Sequence, residues 1–218
     1  MKQIKTKHSI MLINGKRRSG KGLLSKAIYE LAQQKDYKDN IYVLSFAEPI
    51  KQITEPILNE LKWDGNDKEI VRPLWIAMGE VGRNIDHNIW CSRVLDRIKF
   101  LIKKAKDEGK NSLFLIDDLR FPNELDYFKG SLKSLKEIVG ENNDVQINAI
   151  RIQKFFDAEK FVVGVDDNST ETSFDKLVNI CFDHIVPENI LIDQNWVANF
   201  EKVNMYAKII YDNFLGKN

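Results

Sequence analysis

The sequence predicts an α/β protein of three layers, a mostly parallel five-stranded sheet between helices, with a helical insertion and a lid-like loop. Three observations carry that expectation. Apolar runs that suit fully buried strands recur at residues 9–13, 41–46, 112–116, 145–152 and 182–186, with helical apolar spacing between them. The first run leads through a glycine-bounded loop, Gly15 to Gly22, directly into an amphipathic segment at 23–31. The third run ends in Asp117-Asp118, which places carboxylates at the carboxyl end of a strand, where ligands of such sheets bind.

The loop is the organising element. Its main-chain N–H groups between Gly15 and Gly22 can wrap a phosphate, and Gly20 permits dihedral angles that a side chain would block. The positive end of the following helix points at the same anion, and Lys21 can reach the β- and γ-phosphates of a nucleotide. Lys16, Arg17 and Arg18 crowd the turn and repel one another unless an anion is present. The pattern is that of a P-loop NTPase, with ATP and Mg2+ as the expected cofactors. It usually ends in Ser or Thr, whose hydroxyl binds Mg2+; here Gly22 and Leu23 follow, and Ser25 lies one turn further on. The metal is therefore expected to take its ligands from water, phosphate and a carboxylate elsewhere in the chain, Asp118 being the candidate.

Composition limits the alternatives. With 218 residues, 43% of them apolar, the chain can bury one substantial core, and a single domain with no repeat or linker is expected. Thirty-three basic and 32 acidic residues leave a formal charge of +1, so no whole-molecule attraction to nucleic acid or to an anionic membrane is expected. Cys91 and Cys181 read as reduced thiols in apolar surroundings. The polar, basic start has no apolar stretch behind it and no run reaches the length of a membrane span, so a cytoplasmic location is expected.

Taken in order, the second strand is parallel to the first, and Pro49 is tolerated in the first turn of the helix behind it. Phe46, Glu48 and Lys51 then emerge beside the loop. Residues 63–66 form a polar turn, and 69–106 are helical with a break near 82–88. The region 63–106 is the substrate-binding insertion, where Arg72 and Arg83 flank a break at Gly79. Its second half presents Trp90, Val94, Leu95, Ile98, Leu101 and Ile102 on one apolar face, with a solvated basic side. After the strand ending in Asp117-Asp118, Arg120 is placed to meet a phosphate, or to pair locally with Glu124 or Asp117. Arg151 is the charged member of the fourth strand. The polar stretch 154–172 reads as a lid that returns to a helix capped by Ser169 or Thr170. His184 reads as a strand-end residue, and His8 and His87 have no partners for a metal site. A terminal helix spans 196–214 with Phe200, Val203, Tyr206, Ala207 and Ile210 inward.

With these segments in hand, the chain resembles the phage-type deoxynucleoside monophosphate kinases over nearly its whole length. Gly15 to Lys21 is similar to that family's Gly-x-x-Arg-Ser-Gly-Lys, the Arg18-Ser19 pair being more specific than a generic loop. Residues 45–51 resemble its Phe-Ala-x-Pro-hydrophobic-Lys segment. Arg72 to Glu80, with Trp90 beyond, resembles the Arg-x-x-x-x-x-x-Gly-Thr stretch that lines the monophosphate pocket. Asp118-Leu119-Arg120 with Glu124 resembles Asp-x-Arg-x-x-x-Glu, and Ser169-Thr170-Glu171 resembles the short Thr-Glu element after the lid. Three departures stand out: Gly22-Leu23 after the loop lysine, Ile76 where a Gln is common, and Glu80 in place of the Thr.

The resemblance implies phosphoryl transfer from ATP to a deoxynucleoside 5'-monophosphate, a role in deoxynucleotide biosynthesis, host cytoplasm as the location if the chain is phage-encoded, and leaves a homodimer open. The loop amides and Lys21 would hold the ATP phosphates, with Asp118 anchoring Mg2+. Arg120, Arg72 and Arg83 would hold the acceptor phosphate in line, and Phe46, Trp75 or Trp90 would stack on the base, with Lys51, Gly79, Glu80, Glu124, Thr170 and Glu171 completing the pocket. Arg18 or Lys154 would meet charge developing on the transferred group. The nearest alternatives are another small-molecule P-loop kinase, such as one acting on dephospho-coenzyme A, and a catalytically degenerate nucleotide-binding module. A nucleic-acid end kinase would need a basic groove that the near-neutral charge argues against.

Overall fold

A computed structural model describes residues 5–216 except 39, 165 and 178–180. Five strands, β1 (Lys7–Gly15), β2 (Ile41–Leu44), β3 (Ser112–Leu119), β4 (Asp144–Ile152) and β5 (His184–Val186), form one sheet in the order β2-β3-β1-β4-β5. Every pairing is parallel. The helices are α1 (Lys21–Gln33), α2 (Glu48–Glu60), α3 (Lys68–Ile85), α4 (Ile89–Asp107), α5 (Pro122–Gly130), α6 (Leu132–Val139), the single turn α7 (Ser169–Thr172) and α8 (Phe200–Ile210), which runs on into a π-helical turn, Tyr211–Leu215.

Alternation along the central strands explains the three layers. Ile10 and Leu12 of β1, with Phe114 and Ile116 of β3, face Leu95, Ile98, Leu125, Phe128 and Leu135 of α4, α5 and α6. Met11 and Ile13, with Leu113 and Leu115, face Leu24 and Ile28 of α1 and Ala207 and Ile210 of α8. Both faces are covered, so β1 and β3 are apolar at consecutive positions through their middles, Ile10 to Ile13 and Leu113 to Ile116, rather than at every second one.

The alternation is interrupted once. Leu12 pairs with Ile116 and Asn14 with Leu119, so Asp117 and Asp118 together oppose Ile13 in a β-bulge. A bulge inserts one residue and re-aims the side chains beside it, and this one sends the adjacent carboxylates to different neighbours.

Several expected boundaries shift. β2 stops at Leu44 because Ser45, Phe46 and Ala47 turn inward to bind Asp118. Gly79 is no break: it lies inside α3, buried where a Cβ would come within 3.2 Å of Ile50 Cδ1 on α2. The break falls at 86–88. Gly82 is also helical, and a Cβ there would meet the Trp90 ring at 2.2 Å. Asn168, rather than Ser169 or Thr170, caps α7 by accepting from the Thr170 amide. The terminal helix begins at Phe200, whose side chain points outward at 64% exposure. Cys91 and Cys181 are free thiols, and burial pushes the Cys91 thiol up to about 12. Among the described residues no helix is long and apolar enough to cross a membrane.

Candidate functional site

The glycine loop leaves β1 at Gly15, as the sequence pattern predicts, and enters α1 at Lys21, two residues before the expected helix start. Its curvature rests on two left-handed residues, Arg18 at φ 62° and Gly20 at φ 92°. A β-carbon at Gly15 would fall 2.5 Å from Ser19 Oγ and 3.2 Å from the Ile152 carbonyl, so a side chain there would have to displace Ser19. Arg18 carries a side chain into a backbone region that disfavours one, a form of strain concentrated at ligand clamps.

Lys21 Nζ folds back to donate to the carbonyls of Gly15 at 2.5 Å and Lys16 at 2.9 Å. Burial, then the nearby Arg120 guanidinium, lowers its pKa from 10.5 to about 8, against smaller opposing effects of Glu171 and Asp117. Ser19 Oγ and Arg17 Nε are buried without a hydrogen-bond partner among the described residues. A desolvated ammonium, a ring of amides and orphaned polar atoms on one loop are the features that a polyphosphate would satisfy. The residues therefore fit ATP.

The bulge at the end of β3 decides the fate of the two carboxylates. Asp118 Oδ2 accepts from Ser45 Oγ at 2.6 Å and from the Ala47 amide at 3.2 Å, while Oδ1 accepts from the Phe46 amide at 3.0 Å. Both oxygens are engaged in closing the turn from β2 to α2, which argues against the expected metal role. Asp117 lies instead in the field of Lys21, and burial, then the charge of Asp118, raises its pKa. Among the described residues no group of three or more His, Cys, Asp or Glu could hold a metal ion. Mg2+ would rest on one protein carboxylate, Asp117, with phosphate and water supplying the remainder, a usual arrangement for this hard, reluctantly dehydrated cation.

The expected acceptor-side residues divide into two groups. Arg120 emerges from β3 beside the loop, and its guanidinium donates to Glu171 Oε1 at 2.7 Å. Arg83 projects from α3 over the Phe121 ring at 5.3 Å. These guanidiniums remain near the strand ends. Arg72 does not: it pairs with Glu69 one turn away on α3 and is 57% exposed. Phe46 is 4% exposed, edge-on to Phe128 in the core. Trp90 is also 4% exposed, with its indole N–H given to Gly79 O at 2.9 Å. Neither ring has a face free for a base, because each holds helices together.

Trp75 is half-buried, with the Lys51 ammonium 5.6 Å above its ring and Trp63 edge-on at 6.0 Å. Glu80 is exposed on α3. Glu124 is buried and accepts from the Arg120 amide at 2.7 Å and the Phe121 amide at 3.0 Å, so it caps α5 rather than facing a ligand. Burial raises it to about 7. Thr170 is placed by the Asn168 cap, and Glu171 is drawn into the loop, its Oε2 accepting from the Arg17 amide at 2.5 Å.

Some participants were not legible in the sequence. Asp175 pairs with Lys16 at 2.7 Å and with buried Arg151 at 3.0 Å, and Arg151 in turn donates to Asn14. Asp166 pairs with Arg17 at 3.2 Å and lies 3.8 Å from Lys154. Trp196, in the loop between β5 and α8, lies beneath the cations of Arg18, Lys154 and Lys160 at 5.8, 4.9 and 4.9 Å. It walls a cavity of about 700 Å³ together with Arg18, Gly20, Lys21 and Ile192. The sequence reading places Trp196 at the start of the terminal helix, and no local pattern marks it as a wall of the site.

No curated protein matches the sequence. Among solved structures, a thymidylate kinase from Ehrlichia chaffeensis is similar, with 16% identity over 94% of this chain and 98% of that chain and a TM-score of 0.42. A phosphomevalonate kinase family model matches residues 13–134, from the end of β1 through the glycine loop, the α2–α4 helices and the Asp117-Asp118 strand end. That span is more than half of the 218 residues, and the chain belongs to the phosphomevalonate kinase family, a family of P-loop kinases.

Proposed function

We propose that the protein transfers the γ-phosphoryl group of ATP to an oxygen of a phosphomonoester, making a diphosphate. The observation that carries this reading is the convergence of Lys21, Arg120 and Asp117 at the adjacent ends of β1 and β3, where the charges of Arg120 and Asp117 both act on the Lys21 ammonium. A basic donor-side loop faces an acceptor-side arginine there, and phosphoryl transfer asks mainly for positioning and charge neutralisation.

In this reading the loop amides and Lys21 hold the donor phosphates, and Trp196 with Arg18 forms the platform for the donor base. Arg120 and Arg83 hold the acceptor phosphate; their forks keep their charge on burial. Mg2+, anchored through Asp117, would neutralise charge on the donor phosphates. The helices of 63–106 carry the acceptor side, and the lid-like stretch 154–172 brings Lys154 and Lys160 over the donor side.

The family suggests phosphomevalonate as the acceptor. Burial of Phe46 and Trp90, two of the three rings a nucleobase would use, favours an acceptor without a base. The second reading, a deoxynucleoside 5'-monophosphate, rests on the collinear motifs and on half-buried Trp75. Incubation with labelled ATP and Mg2+ against phosphomevalonate, the four common deoxynucleoside monophosphates, the ribonucleotides and dephospho-coenzyme A separates them. Label on phosphomevalonate alone supports the first reading, and label on a deoxynucleotide supports the second. ATP binding without transfer to any phosphomonoester refutes both.

A further inference from the structure

Glu171 is a buried carboxylate, 8% exposed, on a four-residue helical turn that belongs to neither phosphate-binding element. Its oxygens are divided between them. Oε2 takes the Arg17 amide of the glycine loop, and Oε1 takes the Arg120 guanidinium that leaves β3. The same short stretch grips both sides again: Ser173 Oγ donates to the Arg120 carbonyl, and Asp175 holds Lys16 of the loop. Donor-side loop and acceptor-side arginine therefore meet through one carboxylate, in a setting where charged hydrogen bonds are strong and little screened.

A carboxylate set against a phosphate-binding loop repels its own ligand, so direct contact with substrate is a poor use for it. We propose that Glu171 is a positioning residue that couples the P-loop to Arg120, fixing the guanidinium relative to the donor phosphates, and that it does not contact substrate. This rests on the phosphoryl-transfer reading for its kinetic consequence but not for its binding consequence. Glu171→Gln is the informative change, because the amide oxygen can still accept from Arg17 while the charge that orients Arg120 is gone.

The test measures kcat and KM for the acceptor, thermal midpoint, and Mg·ATP affinity by calorimetry, for wild type, Glu171→Gln, Glu171→Ala, Arg120→Gln and the Glu171→Gln/Arg120→Gln double variant. Misplacement of a positioned group by an ångström costs up to about a hundredfold in rate. Glu171→Gln is expected to lose roughly tenfold to a hundredfold in kcat with KM for the acceptor within about threefold, at a midpoint near that of wild type. Glu171→Ala loses more, since the Arg17 amide is also released. The losses in ATP affinity of Glu171→Gln and Arg120→Gln do not add in the double variant, as expected of groups acting through one contact.

A wild-type kcat in Glu171→Gln overturns the proposal. So does an acceptor KM raised more in Glu171→Gln than in Arg120→Gln, which would make Glu171 a substrate ligand, and so do additive losses of ATP affinity. If the wild type binds Mg·ATP but phosphorylates no acceptor, the functional reading fails alone, and the affinity cycle decides Glu171 by itself.

Discussion

Lys21 offers the sharpest test of the site, because its burial sets a proton balance that ATP must change. The fall from 10.5 to about 8 corresponds to about 3 kcal/mol against the charged form. A lysine whose pKa is lowered in this way is charged below that value and neutral above it. At pH 8 about half of the molecules lack the Lys21 proton, and at pH 7 about a tenth do. A polyphosphate in the loop stabilises the ammonium and draws the proton back, so ATP binding should take up about half a proton at pH 8 and about a tenth at pH 7. Titration calorimetry with Mg·ATP in buffers of different ionisation enthalpy reads this directly as a slope. Lys21→Met should bind ATP more weakly with no slope, keep its fold, and lose orders of magnitude in turnover. A wild type with no buffer dependence at pH 8, or an equal slope in Lys21→Met, would refute the placement of Lys21 against the phosphates.

The two carboxylates of the bulge should separate on mutation. Asp118→Asn removes the charged acceptor of two amides and a hydroxyl and should cost about 1–3 kcal/mol in denaturant unfolding, whereas Asp117→Asn should leave stability intact or slightly raised and steepen the Mg2+ requirement of turnover. At Gly22 a β-carbon would meet nothing within 4 Å, so Gly22→Ser should fold at least as well as wild type and lower the Mg2+ concentration needed for half-maximal rate. Gly82→Ala drives a methyl group into the Trp90 ring and should lower stability by about 1–3 kcal/mol, read as a drop in thermal midpoint. His8 is fully buried between Thr6 and Ser112, and burial, then the charge of Lys106, holds it down to about 4. Its contribution is complete above pH 6.5 and is lost as pH falls toward 4, by about 3 kcal/mol in all; His8→Gln should flatten that part of the stability profile.

The order of strands and helices, the glycine loop and the emergence of Arg120 beside it could be read directly from the chain, because each depends on local spacing. Apolar runs buried on both faces and a strand-loop-helix signature need no knowledge of distant residues. The side-chain roles did not follow as readily. Phe46, Trp90 and Glu124 lie at positions that suit a ligand pocket, yet each is consumed in packing or capping, because neighbours from α3, α4 and α5 reach them first. Asp175, Asp166 and Trp196 enter the site from loops more than a hundred residues beyond the glycine turn, and no local pattern marks them.

The layered architecture and the place of the glycine loop follow from the chain read locally. Which charges meet across the site depends on how the elements pack. The bulge opposite Ile13 shows why: inserting one residue into a strand re-aims its side chains, so Asp117 lies in the field of Lys21 while its neighbour Asp118 binds the turn after β2. Adjacent residues of identical chemistry thus acquire different work from pairing register alone, a property of two strands together that neither strand encodes.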